Sequence, residues 1–459
     1  MSNKGQASSS KSTGGRDAFV TSLGALVVTL GSAVGLGNIW KFPALAGQNG
    51  GAAFVLLYLL CVAGVGLPVL IAELLLGRRA RANAVSAFRK LAPGKAWYLI
   101  GISGVIAAVM IMAFYTDVAG WVYSYAFKAL TGGLSADQSG AVFDQTIGSP
   151  VSSLMWQWLA LAVTTGVVVM GVGKGIERVI KRLMPLLLVL LIICDIRALS
   201  LPGASEGLDF LFRPDFSKLS AAAVLTALGL AFFKLSLGMG TMLTYGSYMN
   251  DSQSIPGTAA KVALADTMVS LLAGIAIFPA VFAFGFEPTA GPGLLFVTIP
   301  SVFAAMPFGG FFTFLFFVLT AVAATGAMIS LVEVPVAFVH ETLGWSRRKA
   351  GLLTAGVMAL LGVPATLSTN LWSSVKVFDL TFFDLFDFIS SNILLPVGGI
   401  TIALFVGWVW SKGLFVKLAS NQDALRNQSL MSAVHGLLRF VTPVAVTIVL
   451  LNGLGLIKI

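Results

Sequence analysis

The length of the apolar runs restricts this chain more than any other feature. Many reach 18 residues or more with few charges between them. A bilayer core of about 30 Å is crossed by roughly 20 helical residues, and a spanning segment must satisfy its own backbone groups, which selects helices. Only 10% of the residues are charged and 57% are apolar, too little charge to cover a soluble surface of this size. The reading is therefore an all-α integral membrane protein. Eleven spans are expected, at about 21–47, 50–76, 97–130, 151–172, 178–201, 220–248, 257–285, 309–342, 347–366, 382–411 and 433–457. No soluble domain interrupts them. The segment Thr289–Pro307 before span 8 is too apolar for a solvated loop and is expected to dip back as a lid.

Charge supports this topology. With the polar tail 1–20 in the cytosol, six of the 29 Lys and Arg fall outside: Lys128, Arg197, Arg213, Lys218, Lys376 and Lys458. Lys41 and Lys234 lie within spans, and all the others fall on cytosolic segments, as the positive-inside rule requires. The net charge of +10 thus reports orientation in a cell membrane, here the plasma (inner) membrane, and calls for no nucleic-acid partner. The tail has no apolar core or cleavage-like site, so no signal peptide is read. Cys61 and Cys194 sit in apolar runs with no disulfide or metal spacing. No nucleophile motif stands out, the two histidines, His340 and His435, lie near cytosolic ends, and an enzyme is not expected. Filter-like repeats of a channel are also absent. No cofactor is called for, the lipid bilayer is the solvent, and no oligomeric state is fixed.

Two spans carry glycine clusters at matching places. Span 1 reads GSAVGLGNIWKFP, Gly31 to Pro43, and span 6 reads LSLGMGTMLTYG, Leu235 to Gly246. Unwound backbone at membrane depth is viable only beside a protein-lined cavity, and paired broken helices in two halves point to a midplane binding site. Spans 1–5 (21–201) and 6–10 (220–411) then form two inverted five-helix repeats, with 433–457 peripheral. The competing reading, glycines serving only close helix packing, is weakened by the polar residues beside each cluster: Asn38 and Lys41 in one, Lys234 in the other. Lys234 is the only charge between Lys218 and Asp251. A charge at a helix centre costs about 2.5–3.5 kcal/mol on the insertion scale, so a partner is expected.

The stretch GSAVGLGNIWKFPALAGQNGGAAF resembles the first-helix signature of the neurotransmitter:sodium symporter family. GLPVLIAELLLGRR, YTDVAGW, KGIERVIKRLMPLL, LSLGMGTMLTYGSY and SLVEVPVAFVHETLG are similar to the motifs that follow in bacterial members. The likeness runs from Arg16 to about Trp408. It implies secondary transport of amino acids by alternating access, usually driven by sodium. Carried over by position, it implies that Leu36 and Gly37 cradle the substrate carboxylate with Tyr115. Ala33, Phe233 and Ser236 would offer carbonyls to the amino group. Ile111, Tyr115, Phe233, Met239, Ala327 and Leu331 would line the side-chain pocket. Gly35 stands where monoamine carriers have an aspartate, which favours a neutral amino acid bringing its own carboxylate. The implied gates are a Tyr115–Phe233 lid, an outer Lys41–Asp387 latch and an inner Arg16–Glu341 latch. Lysine lacks the bidentate fork of the usual arginine, so a looser outer latch is expected.

The departures from the family fall on its ion sites. The first implied site has Asn38, but Lys234 and Asp266 replace a hydroxyl residue and an asparagine. The second has carbonyls of Gly31, Val34 and Ala323, but Gly326 and Ala327 lack the usual hydroxyls; Thr325 is one position away. A charged Lys234 beside a sodium ion is repelled by about 4 kcal/mol at 4 Å even at an effective dielectric near 20. The expectation is that its ammonium takes the ion's place, neutralised by Asp266, hydrogen-bonded by Asn38 and facing the substrate carboxylate. The alternative is a permanent lock between spans 6 and 7. The coupling ion stays open between proton and sodium. Asp117 in span 3 is either a relay or an acid satisfied by hydroxyls such as Thr116 or by a watery vestibule. Asp195, beside Arg197, is read as interfacial. The implied chloride positions, Tyr58, Leu230, Lys234, Asp266 and Ser270, include an acid, so chloride dependence is not expected. A non-transporting amino-acid sensor on the same scaffold remains the reading from a different class.

Overall fold

The computed structural model describes residues 17–134, 139–285, 293–304 and 306–457, and the regular structure among these is helical. Eight helices are long and apolar enough to cross a membrane: Ala52–Ala80, Tyr98–Leu130, Pro150–Val169, Ile255–Ala283, Gly309–Leu343, Arg347–Leu367, Phe382–Val409 and Gln428–Gly453. The pair Ser22–Ala33 and Gly37–Gln48, bent by 51°, makes a ninth as span 1. Length and composition therefore reach nine of the eleven expected spans. Span 5 misses because its helix, Arg178–Leu199, holds Arg178, Lys181, Arg182, Asp195 and Arg197. Span 6 misses because it is divided into Ala221–Lys234 and Thr241–Gly246, each shorter than a bilayer.

Sequence-local signals start and stop these helices. Thr21, Ser220 and Ser254 accept hydrogen bonds from backbone N–H groups in the first turns of spans 1, 6 and 7. Span 8 ends on Gly344 in the left-handed region, φ 65°, where glycine carries no steric penalty.

Glycine also sets how closely the site-bearing pieces approach. A Cβ at Gly77 of span 2 would lie 1.9 Å from the Leu243 carbonyl oxygen, and one at Gly246 would lie 2.4 Å from that of Leu74. Span 2 and the inner half of span 6 thus touch backbone to backbone, as small residues permit between membrane helices. The break in span 6 is seated the same way on span 10: a Cβ at Gly238 would meet the Leu395 carbonyl oxygen at 2.4 Å.

The expected lid is described from Gly293 to Ala304 and at Met306 and Pro307; Thr289–Pro292 and Ala305 lie outside the described residues. Its helical part, Leu294–Thr298 and Ile299–Ala304, is firmly packed. Phe296 is buried, stacked on Phe143 at 5.2 Å and edge-on to Trp121 and Tyr125. Cys61 and Cys194 are both free thiols.

Gly77→Ala should lower the melting temperature of the detergent-purified protein by several degrees, since overpacking costs about 1–3 kcal/mol. Gly64→Ala, in the same span with nothing within 4 Å of the added Cβ, should leave it unchanged or raise it slightly.

Candidate functional site

The two helix breaks face each other and share hydrogen bonds. In span 1 the break falls between Ala33 and Gly37, and the Asn38 amide oxygen accepts from the Gly35 N–H at 3.1 Å. In span 6 it runs from Leu235 to Gly240, with Ser236, Gly238 and Gly240 all at positive φ. The Ser236 hydroxyl donates to the Ser32 carbonyl at 2.8 Å, tying one break to the other. Thr241 Oγ1 donates to the Ser236 carbonyl at 2.8 Å, and Glu73 of span 2 accepts from the Gly238 N–H at 2.7 Å. Groups that a continuous helix would have paired are satisfied by side chains instead.

Between the breaks lies a small cavity of about 30 Å³. Ala33 and Gly37 of span 1, with Ile111 and Tyr115 of span 3, line one part of its wall. Phe233, Lys234, Ser236 and Met239 of span 6, with Ala327 and Leu331 of span 8, line another. Leu36 is not in the wall, and it contributes its N–H, which donates to the Tyr115 hydroxyl at 2.9 Å. A Cβ at Gly35 would lie 2.8 Å from Ala327 Cβ and 2.9 Å from the Tyr115 hydroxyl, so no aspartate side chain fits at this position. Toward the outside, Lys41 Nζ sits 4.2 Å above the Phe233 ring and 3.9 Å from Asp387 Oδ1, a long contact between two partly exposed groups. A direct but loose latch is what a lysine ammonium provides there.

The Lys234 side chain lines the cavity, and its ammonium is turned to partners outside the lining. The Nζ is 3.1 Å from Asp266 Oδ2, donates to the Tyr58 hydroxyl at 3.0 Å and donates to Ser270 Oγ. The rings of Phe42 and Tyr58 lie 4.8 and 4.6 Å from it, within cation–π range. An ammonium has three donors and all three are engaged, so the expected direct meeting with a substrate carboxylate is not offered by this geometry. Asn38 also differs from expectation: its Nδ2 donates to Asp266 Oδ1 at 2.6 Å and to Ser270 Oγ at 2.9 Å, holding the acid rather than the ammonium. Both charged side chains are fully buried. Four of the five positions matched to a chloride site, Tyr58, Lys234, Asp266 and Ser270, form this cluster, and the fifth, Leu230, is apolar.

The positions matched to the second ion site also come together. A Cβ at Gly326 would lie 3.2 Å from the Gly31 carbonyl oxygen and 3.9 Å from that of Val34; one at Gly35 would lie 3.9 Å from that of Ala323. Carbonyls thus converge where no hydroxyl is present. Thr325 points elsewhere, its hydroxyl 2.6 Å from the Tyr123 hydroxyl and donating to the Ala321 carbonyl at 2.7 Å.

Other acids depart from the sequence reading. Asp117 is fully buried and faces Thr366 and Trp121; Thr116 is occupied with the Met112 carbonyl and with Gln157. Asp195 is buried in the protein, near the end of the helix Arg178–Leu199. Glu341 accepts from the Asn83 N–H at 2.8 Å and from its amide at 3.0 Å, while Arg16, its expected latch partner, lies outside the described residues. Two arrangements were missed. Glu73 braces the span 6 break, and Glu333 of span 8 pairs with Arg347, which also reaches Asp17 at 3.3 Å, while Tyr248 donates to Glu333 at 2.6 Å. Each has a sequence signal, a lone glutamate in an apolar run: LIAELLL for Glu73 and SLVEVPV for Glu333.

The family profile described as "Sodium:neurotransmitter symporter family" matches residues 16–149 and 142–458. The Bacillus subtilis protein YhdH, called an uncharacterized sodium-dependent transporter, is 42% identical over 96% of this chain and 98% of its own. A Haemophilus influenzae protein of the same description is 36% identical over the same shares. The crystal structure of MhsT in complex with L-phenylalanine matches with a TM-score of 0.89 at 44% identity, covering 96% of this chain and all of that one.

Breaking a buried ion pair from one side leaves an uncompensated charge and costs about 3–5 kcal/mol. Asp266→Ala should therefore cut the yield of monodisperse protein and its melting temperature sharply. Lys234→Met combined with Asp266→Leu should restore much of the loss, because the orphaned charge is gone.

Proposed function

The chain belongs to the sodium:neurotransmitter symporter family, and from that premise we propose that it carries neutral, mainly hydrophobic amino acids across the plasma membrane by alternating access, with the Lys234 ammonium standing where a coupling sodium ion would bind. The observation that carries this reading is the fully buried Lys234–Asp266 pair at the span 6 break, held by Asn38, Tyr58 and Ser270.

The cavity suits a zwitterion with an apolar side chain. Its carboxylate meets the N–H groups at the start of the outer half of span 1 and the Tyr115 hydroxyl, a helix N-terminus favouring negative charge. Its amino group takes the remaining lone pairs of carbonyls at the breaks, at Ala33, Phe233 and Ser236, the last two of which also accept from the Ser236 N–H and from Thr241 Oγ1. Ile111, Met239, Ala327 and Leu331 give an apolar part of the wall, and methionine adapts to several shapes. Phe233, beneath Lys41 and Asp387, closes this pocket outward. On the other side the Glu333–Arg347–Tyr248 cluster joins span 8 to span 9 and to the inner half of span 6, the elements that must separate for inward release.

Energy coupling follows from the ion sites. A fixed ammonium in the first leaves no room for a sodium ion there. The second offers carbonyls alone, and Thr325 is committed to Tyr123 and Ala321. Proton-coupled or sodium-independent transport is therefore the favoured reading. The convergence of the Gly31 and Val34 carbonyls on Gly326 favours a second one, sodium coupling through that single site. A non-transporting sensor predicts saturable binding without flux.

Proteoliposome uptake with sodium and pH gradients varied separately distinguishes these. The expected result is amino-acid accumulation that is indifferent to sodium; stimulation by sodium with no response to pH overturns it. In the same assay Lys234→Thr should gain sodium dependence, because it leaves a hydroxyl, Asp266 and Asn38 around the vacated place. Lys234→Met should only lose activity. Wild-type behaviour in both variants defeats the surrogate-cation proposal.

A further inference from the structure

Away from the breaks, at the end of span 2, lies an open cleft of about 350 Å³. Arg78, Arg79 and Arg81 line it, and Asp251 is the one acid among the lining residues. Leu75 and Leu418 give it an apolar floor.

The three arginines are not equivalent. Arg78 is buried and structural. It donates to the Gln253 carbonyl at 2.6 Å, to the Asn421 side chain at 3.1 Å and to the Leu418 carbonyl at 2.9 Å, tying the loop after span 10 to the start of span 7. Arg81 caps the helix in the left-handed region, φ 47°, and reaches Asp251 at 2.9 Å; that acid is 88% exposed, so solvent screens the pair. Arg79 projects on the exposed side of the last turn. Across the cleft Asn421 and Gln422 also hold positive φ, at 49° and 57°. Non-glycine residues keep such conformations where their surroundings fix them, commonly at ligand sites.

We propose that this cleft binds a phosphate-type oxyanion, supplied by the headgroup of an anionic phospholipid in the leaflet on the basic side of the protein. Arg78 is committed to neutral partners and Arg81 shares one screened carboxylate, so the cleft keeps a net positive charge, with Arg79 and Arg81 left to meet a ligand. Guanidinium forks match phosphate oxygens in pairs. The position at a span end, with leucines below and arginines around the rim, places a headgroup among the arginines while its acyl chains stay in the bilayer. Basic pockets between spans on the cytoplasmic side recognise headgroups in this way. The bound headgroup bridges span 2, the span 6–7 connection and the segment after span 10.

The test uses the full-length protein and two variants that spare the buried Arg78: the double variant Arg79→Gln/Arg81→Gln, and Asp251→Asn. Retention of phosphatidylglycerol through delipidation is read by native mass spectrometry. Melting temperature is read in nanodiscs of phosphatidylcholine alone, with inorganic phosphate titrated. Each surface arginine is worth about a factor of five toward an anionic membrane, so the double variant should hold phosphatidylglycerol roughly 25-fold more weakly and Asp251→Asn more tightly than wild type. Stabilisation by inorganic phosphate that needs Arg79 and Arg81, without selective retention of the lipid, keeps the oxyanion site and makes its source soluble. Equal lipid retention in all three proteins, with no arginine-dependent response to phosphate, overturns the proposal.

Discussion

A buried ammonium and a buried carboxylate 3.1 Å apart set the terms for the centre of this protein. Taking either charge out of water costs several kcal/mol, and their attraction offsets that only when every remaining donor and acceptor is matched. Here the matching is close to complete. Lys234 engages Asp266, Tyr58 and Ser270, and Asp266 also accepts from Asn38 and Tyr58. Five residues from spans 1, 2, 6 and 7 are thereby held in one arrangement. Asn38 and Lys234 adjoin the helix breaks, so the pair fixes where unwound backbone can sit.

Unwound backbone in a membrane needs partners that a continuous helix would not. Glu73 takes the Gly238 N–H, Ser236 bonds Ser32, and Thr241 bonds the Ser236 carbonyl. Glycine then allows the approach that makes these bonds short, with Gly238 against Leu395 and Gly246 against Leu74. The cavity is thus walled by side chains from intact spans 3 and 8 and by both backbone and side chains, Phe233 and Met239 among them, from the broken ones. That division suits recognition of an amino acid: invariant carboxylate and amino groups against backbone, and a variable side chain against Ile111, Met239, Ala327 and Leu331.

Apolar run length and charge bias were enough to read membrane helices. The paired glycine clusters were enough to read where they break, because both signals follow from backbone needs in lipid. Nine of the ten residues assigned to the substrate site line the cavity, and the tenth, Leu36, contributes its N–H. Direction was harder to read than position. The sequence put Lys234 near Asp266 but could not say that its three donors would all turn from the cavity. It put Thr325 one residue off the second ion site but not against Tyr123. Side-chain direction depends on which neighbours compete for each polar atom, and those neighbours come from spans far apart in the chain. Glu73 and Glu333 were legible as lone acids in apolar runs, yet their partners, a broken helix and Arg347, exist only in the fold.

A sodium ion in a symporter binds, helps to order the broken helices and then leaves, and its departure down a gradient drives the cycle. A lysine can do the ordering but not the leaving. If Lys234 serves as the resident cation, ordering at the first site is permanent, and substrate binding there needs no ion to arrive. The driving force then has to enter by a proton, by the carbonyl-only second site, or by exchange of one substrate for another. On that reading the aspartate at position 266 also has a reason. A neutral asparagine suffices around a mobile ion whose charge is removed at each turn, whereas a tethered ammonium needs a counter-charge that stays with it through every state of the cycle.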